Sequence, residues 1–530
     1  MTRTAIARRS AQALMTACLL ALAACATLRT DYPKFASESL PPKVDSATTR
    51  YVQAEVDAHG GKSGFRLLVG NQNALMSRIV MIDRARHSID LQYYIYFNDA
   101  TGRLVAQRLL AAADRGVRVR VLLDDIDIAE EDELLDALDA HDRIEVRLFN
   151  PFRFRQRSML SKVGQFVLEG ARLNRRMHNK SFIVDGMQAI IGGRNIGDAY
   201  YDVGDDVFFR DLDVLCIGPV VPQLAAAFDR YWNSEAAFSV RAYSGEKADR
   251  GDLASQRAAL ARDARAFSES DYAQALSFEL PNGPSADRKG PWLWGDAAVV
   301  VDDPDKVDPD EDRTVAHIDR SLRRVLDAAQ RSVVIVSPYL IPGKDGEALL
   351  TALLARGVAI RALTNSLAAT DEAAVHSGYA RYRIPLLEAG AELHEFRPVS
   401  QQDAPIAHGT SSGVSLHSKA LVVDGERVFI GSMNFDPRSR HLNTELGVIV
   451  DSPEFGAAIE GYFAQASGPA NAWRVVYEPR PGSRSGRPVL QWIERAEGGE
   501  ARRHDSEPGA SAWKRWQVRI ARMLPIEGLL

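Results

Sequence analysis

Apolar side chains recur every three to four positions over residues 75–85 and again over 104–113, a period that turns one face of an α-helix toward a core. Residues 88–96 and 117–123 instead hold short runs rich in β-branched, leucine and aromatic residues, which predicts strands. The same succession returns later in the chain: helical periodicity over 318–328, a strand over 333–336, a helix over 348–354 and a buried strand over 358–363. Helix and strand alternating in this way predict an α/β sandwich with a largely parallel or mixed sheet.

The return is also visible in the residues themselves. Arg115-Gly116-Val117-Arg118-Val119-Arg120-Val121 is echoed by Arg356-Gly357-Val358-Ala359-Ile360-Arg361-Ala362, a separation of 241 positions. His178 to Gly186 is echoed by His417 to Gly425 at 239, and Asp211-Leu212-Asp213-Val214 by Glu445-Leu446-Gly447-Val448 at 234. Three matches in one order at nearly constant separation indicate a duplicated domain. A length of 530 residues accommodates two such domains with extensions. The division read here is a leader over 1–24, a tether over 25–50 and a first domain over 51–240. An inter-domain insertion over 241–300, a second domain over 301–480 and a C-terminal extension over 481–530 complete it.

Composition narrows the class. The chain is 46% hydrophobic and 25% charged, as a globular protein is, and its formal net charge of -5 argues against a protein that coats nucleic acid. Of the three cysteines, Cys18 and Cys25 fall in or beside the leader and Cys216 sits in an apolar strand, so no internal disulfide framework is expected. The leader carries Arg3, Arg8 and Arg9 before an apolar run over 11–24, shorter than the roughly 18–20 residues of a membrane span. It ends in Leu22-Ala23-Ala24-Cys25, which resembles a bacterial lipobox. That resemblance implies acylation at Cys25 and a lipid-anchored, periplasm-facing place in the bacterial cell envelope, with inner and outer membrane both open. The acidic run over 302–312 reads as a solvated loop.

Candidate chemistry lies in the repeated segment. Each copy holds His-x-Lys, then an Asp, then a Gly-rich turn ending in Asn: His178, Lys180, Asp185, Gly192-Gly193-Arg194-Asn195, and His417, Lys419, Asp424, Gly431-Ser432-Met433-Asn434. Residues i and i+2 of a strand share a face, so each imidazole projects beside an ammonium group. A phosphodiester is an anion whose transition state gathers more charge on its equatorial oxygens, and two lysines answer that need. The Gly-rich turns, with Gly192, Gly193, Gly431, Ser432, Asn195 and Asn434, are expected to approach and hydrogen-bond the phosphate. One histidine has to attack phosphorus while the other protonates the leaving alkoxide, which requires two copies facing one site. Asp185 and Asp424 are expected to brace the loop after the strand. No cofactor or metal is expected, the lysines supplying the positive charge.

These paired motifs resemble the signature of the phospholipase D superfamily. Over nearly the whole chain, Leu91-Gln92-Tyr93-Tyr94-Ile95, Arg147 to Phe152, Leu173-Asn174-Arg175-Arg176, Leu363 to Ala369 and Phe435-Asp436-Pro437-Arg438-Ser439 are similar to the C-type bacterial cardiolipin synthases. The resemblance implies two phospholipase D-like α/β sandwich domains about a pseudo-two-fold axis with one shared active site. It implies transfer of a phosphatidyl group to phosphatidylglycerol, from phosphatidylethanolamine or a second phosphatidylglycerol, through a phosphohistidine. His178 is favoured as nucleophile and His417 as acid. Asp211 and Glu445, 33 and 28 residues after their histidines, match the family position that holds each imidazole by its second nitrogen. Gly193 stands where the family usually has the serine kept here as Ser432.

Membrane phospholipids are therefore the expected partners, with no nucleic acid and no identified accessory protein. A phosphodiesterase hydrolysing phospholipid or nucleic acid, and a non-catalytic lipid-binding envelope lipoprotein, are the alternatives. Near the C-terminus, Trp513, Trp516, Ile520, Met523 and Leu524 share one helical face, and Lys514, Arg515, Arg519 and Arg522 the other. That helix fits an anionic membrane surface or the docking of its apolar face on the core. His376 and Tyr379 fit either a substrate channel or a structural helix.

Overall fold

The alternation of helix and strand is realised as one mixed sheet in each copy of the repeat. The computed structural model describes residues 28–43, 46–126, 132–153, 169–204, 208–244, 250–277, 290–309, 318–398, 413–479, 486–494, 501–523 and 527–529; the leader and Cys25 lie outside them. In the first lobe the strands are β1 (Ser63–Leu68), β2 (Ser88–Tyr93), β3 (Arg118–Asp124), β4 (Ile144–Phe149), β5 (Ser181–Val184), β6 (Gln188–Gly192), β7 (Phe208–Arg210), β8 (Asp213–Ile217) and β9 (Ala237–Ser239). The second lobe has β10 (Leu293–Val301), β11 (Ser332–Val336), β12 (Ala359–Asn365), β13 (Glu392–Phe396), β14 (Val414–Leu416), β15 (Ala420–Val423), β16 (Arg427–Gly431) and β17 (Leu446–Asp451). The strands β18 (Ala472–Pro479), β19 (Pro488–Glu494) and β20 (Arg502–His504) extend it.

Strand order in the first lobe is β9-β4-β3-β2-β5-β6-β8-β1, parallel from β4 to β2 and antiparallel elsewhere. The second lobe repeats it as β18-β13-β12-β11-β15-β16-β17-β10. The parallel pairs β2–β3 and β11–β12 are joined through helices Ala100–Asp114 and Gly343–Ala355, since parallel neighbours need a crossover connection. The first opens earlier than its hydrophobic period because Asp99 caps it, accepting the N–H of Gly102.

The two sheets meet at β10. Its first residues pair with β1, Ser63 opposite Gly295, and its later residues with β17, Ala298 opposite Ile449. The stretch read as an insertion is thus shared between the lobes. Helix Arg250–Glu269 packs on helix Ala100–Asp114, with Arg257 paired to Asp114, while β10 opens the second sheet. Between the sheets lies one core to which both lobes contribute, including Phe65, Phe228 and Trp232 from the first and Val334, Phe455 and Phe463 from the second. The rings of Phe65 and Phe455 stack at 5.5 Å across it. Burying such side chains contributes about 2 kcal/mol each, so the lobes form one unit.

Helix Ala512–Ala521 docks near residues 367–373 by burying Val518 against Leu367, Ala510 and Ala373. This departs from the core-docking expectation, because the face turned to the protein is not the tryptophan face. Cys216 is buried in the core, where burial raises its thiol. Among the described residues no helix is long and apolar enough to cross a membrane.

Candidate active site

Each histidine sits just after a short bridging strand that leaves its own lobe and lies beside the other. Leu416 of β14 pairs in parallel with Arg210 of β7, and Met177 pairs likewise with Thr444. The N–H of His417 then donates to the carbonyl of Arg210 at 2.7 Å, and that of His178 to the carbonyl of Thr444 at 2.9 Å. One residue beyond each carbonyl stands a carboxylate of the opposite lobe.

The pairing of imidazole with carboxylate is consequently crossed. Nδ1 of His178 lies 3.0 and 3.1 Å from the two oxygens of Glu445, and Nδ1 of His417 lies 2.5 Å from Oδ2 of Asp211. This corrects the assignment of each carboxylate to the histidine that precedes it in its own copy. The interval along the chain is repeated, but each lobe supplies the carboxylate that the other needs. With Nδ1 so held, Nε2 of each ring is the nitrogen left to face a substrate.

Lys180 and Lys419 are buried, and each Nζ donates to the carbonyl of its own histidine. The rings have aromatic neighbours as well: Tyr94 meets His178 edge-on at 4.9 Å, and Phe209 and Tyr200 lie 5.1 and 5.5 Å from His417. Burial drives His178 well below the usual histidine range, helped by the charges of Lys180 and Lys419. His417 is lowered too, by burial and Lys419, but Asp211 opposes the shift. Both lysines are held below their usual value by burial, Lys180 strongly.

The two carboxylates differ. Burial works to raise Asp211, yet the charges of His417 and Lys419 and the hydrogen bond from His417 carry it below the ordinary value. Glu445 is pushed up to about 8 by burial, against Lys180 and hydrogen bonds from Ser432 and Ser439.

The Gly-rich turns support these carboxylates. Ser432 Oγ donates to Glu445 Oε2 at 2.5 Å and accepts the N–H of Leu446 at 3.0 Å. At Gly193 a Cβ would lie 2.3 Å from Oδ1 of Asp211, so the missing side chain is the space that the shorter carboxylate occupies. Gly192 and Gly431 are bare for a related reason: a Cβ there would strike Asp213 and the carbonyl of Leu446, on the neighbouring strands. Asn195 donates one N–H to the Tyr200 hydroxyl at 2.7 Å and accepts the N–H of Ile95. Asn434 is buried, and its Oδ1 has no hydrogen-bond partner among the described residues. Asp185 accepts the N–H groups of Arg86, His87 and Ser88 from a left-handed φ of 54°, and Asp424 those of Gln330, Arg331 and Ser332 at 57°.

Several supporting residues were not singled out from the sequence. Asp124 closes β3 and accepts the N–H of Met177 at 2.8 Å while its other oxygen binds Arg176; Asn365 closes β12 and accepts the N–H of Leu416 at 2.9 Å. Their separation of 241 is that of the repeat, a signal present in the sequence. Asp302 corrects the reading of a solvated acidic run. It is fully buried, receives Lys306 Nζ at 2.6 Å, and accepts the N–H of Glu445 at 3.1 Å. Arg438 crosses the lobes to donate to the side chain and carbonyl of Asn174, and its charge helps depress His178. His376 and Tyr379 are buried around Arg383, which donates to His376 Nε2 at 2.6 Å and pairs with Glu395 and Glu507. They belong to a structural network.

Comparison with known proteins recovers the duplication. The family described as "Cardiolipin synthase, PLD-like domain" matches the chain twice, over residues 79–232 and 322–467. Cardiolipin synthase C of Escherichia coli (strain K12) is 40% identical over 89% of this chain and 97% of its own. Cardiolipin synthase 2 of Bacillus anthracis is 26% identical over 73% of this chain and 61% of its own. Among solved structures, phosphatidylserine synthase of Haemophilus influenzae Rd KW20 superposes with a TM-score of 0.56 at 11% identity, covering 92% of this chain and 100% of that one, which shows a shared fold.

Proposed function

The chain belongs to the phospholipase D-like cardiolipin synthase family and is an enzyme of the phosphatidyltransferase type; from that footing we propose that it makes cardiolipin by moving a phosphatidyl group onto phosphatidylglycerol. The donor in this reading is phosphatidylethanolamine or a second phosphatidylglycerol. The observation that carries it is the crossed pair of imidazoles, each held by a carboxylate of the opposite lobe beside a buried lysine. Membership of an enzyme family removes the non-catalytic lipoprotein from the alternatives.

The chemistry follows from the asymmetry of the pair. His178, the more strongly depressed ring, is the neutral nucleophile: its Nε2 bonds to phosphorus as the P–O bond to the donor headgroup breaks. His417 is lowered less because Asp211 opposes the shift, so it is the ring better able to carry a second proton and give it from Nε2 to the departing alkoxide. A hydroxyl of phosphatidylglycerol then loses its proton to His417 and attacks phosphorus, and the bond to His178 breaks. The sum is exchange of one alcohol for another, with no net proton. The bound phosphodiester also adds negative charge beside the two buried lysines, favouring their charged form against burial where charge develops. Asn434, through its Nδ2, is the amide this reading assigns to a phosphate oxygen. Acylation of Cys25 would hold the enzyme in the bacterial envelope beside its substrate, a reading supported by Leu22-Ala23-Ala24-Cys25. Loss of labelled palmitate in Cys25→Ser is its test.

Purified protein given phosphatidylglycerol and phosphatidylethanolamine should yield cardiolipin by mass spectrometry, and His178→Ala should yield none. Phosphatidic acid as the sole product would replace transfer by hydrolysis.

A further inference from the structure

Four of the large hydrophobic side chains most exposed among the described residues lie on one short stretch: Trp513 at 61%, Trp516 at 50%, Ile520 at 40% and Met523 at 74%. The indole rings of Trp513 and Trp516 stack at 4.7 Å, so they form one apolar plate. Helix Ala512–Ala521 is held to the body by a different side. Val518 is buried, Lys514 Nζ donates to the carbonyls of Ala368 and Thr370, and Arg381 donates to the carbonyl of Arg522. A helix fastened this firmly with its tryptophans turned outward has a face that water serves poorly.

Its charge identifies the partner. The chain as a whole is acidic, at -5, yet residues 511–523 contain Lys514, Arg515, Arg519 and Arg522 and no Asp or Glu. Arg519 and Arg522 are exposed on the same helix, Arg519 at the edge of the apolar face. Stacked indoles with flanking guanidinium groups match the boundary of an anionic bilayer, with acyl chains on one side and phosphates on the other.

Position ties the helix to catalysis. Lys514 grips the segment leading to Asp371, whose charge acts on the active-site Lys419. Just after the helix, Glu527–Leu529 packs on Pro437–His441, the segment that follows Asn434, and Tyr382 bonds Glu527. We propose that this helix is an interfacial seat: Trp513, Trp516, Ile520 and Met523 enter the headgroup boundary of an anionic phospholipid bilayer and hold the mouth of the active site against it. The inference rests on the phosphatidyltransferase reading only for its purpose; the contact with lipid is separable from turnover.

The full-length protein is mixed with vesicles of phosphatidylglycerol carrying brominated acyl chains, and tryptophan fluorescence is followed. Trp232, Trp473 and Trp492 are buried, Trp292 and Trp294 are half-buried, and all five remain in Trp513→Ala/Trp516→Ala, so the quenching lost between parent and variant reports the C-terminal pair alone. Strong quenching is expected in the parent and its loss in Trp513→Ala/Trp516→Ala. Cardiolipin formation on bilayers should fall about tenfold in that variant, while turnover of short-chain monomeric phospholipid stays at the parent level. An unquenched parent, or bilayer activity equal in both proteins, overturns the proposal. So does an equal loss on both substrates, which marks a structural role. Quenching that behaves as expected in a protein yielding no cardiolipin leaves the seat standing and removes the assigned reaction instead.

Discussion

Replacing Glu445 by Gln should make the protein more stable at alkaline pH and much less active. The carboxyl is fully buried and pushed from an ordinary 4.5 up to about 8. A folded-state value above the unfolded one means that the favourable contribution is intact below pH 4.5 and lost as pH climbs toward 8. A shift of about 3.5 units at ~1.36 kcal/mol each sets an upper limit of ~5 kcal/mol. Lys180 loses its neighbouring carboxylate in the variant, which leaves a net gain of about 2–3 kcal/mol above pH 8 and none near pH 4.5. The amide fits the site: Oε1 accepts from His178 Nδ1, and Nε2 donates to Ser432 Oγ, whose proton turns to the nearby carbonyl of Leu446. Activity should drop on the order of a thousandfold, because an amide no longer supports the imidazole through the transition state. Asp211→Asn is the built-in contrast. Its carboxyl is lowered in the folded state, so its contribution is present above the ordinary 3.8 and vanishes only as pH falls further; the variant should be less stable at neutral pH. Denaturation midpoints of the three proteins from pH 4.5 to 9 decide the matter. Midpoints that move in the same direction for both variants at pH 8 would refute the reasoning.

Asp211→Asn should also move the alkaline limb of kcat/KM to lower pH, since Asp211 is what opposes the depression of His417; an unmoved limb would take the acid role from that ring. Gly193→Ala puts a methyl group 2.3 Å from an oxygen of Asp211, and should cost about 1–3 kcal/mol in stability together with most of the activity, both readable in one purified sample. Asn195→Ala should lower the denaturation midpoint by the loss of two buried hydrogen bonds, worth ~1 kcal/mol each, whereas Asn434→Ala should leave it in place and slow turnover.

Much of this molecule is written in its sequence because duplication writes it twice. The strands at 117–123 and 358–363 and the His-x-Lys segments were legible from period and repetition, and those segments are the ones that the structure brings to one site. What the sequence could not disclose is which carboxylate serves which ring. Intervals of 33 and 28 residues measure distance along the chain, while the pairing is decided by the docking of Met177 on Thr444 and of Leu416 on Arg210. Ser432 and the Gly-rich turns looked like phosphate ligands because small residues suit both a close ligand and a close neighbouring strand. The positions of Asp213 and Leu446 show the second of these uses. Strand β10 was hidden among Pro and Gly punctuation, and Asp302 among acidic neighbours, although both take their place from contacts with Glu445 and its strand.

The exchange of carboxylates between lobes forbids one familiar way of admitting a substrate. If the halves swung apart like a clamshell, both imidazoles would lose their anchors in the same movement, and the catalyst would be dismantled at the moment of loading. A substrate that is to meet a working catalyst has therefore to enter while the two lobes stay docked on one another.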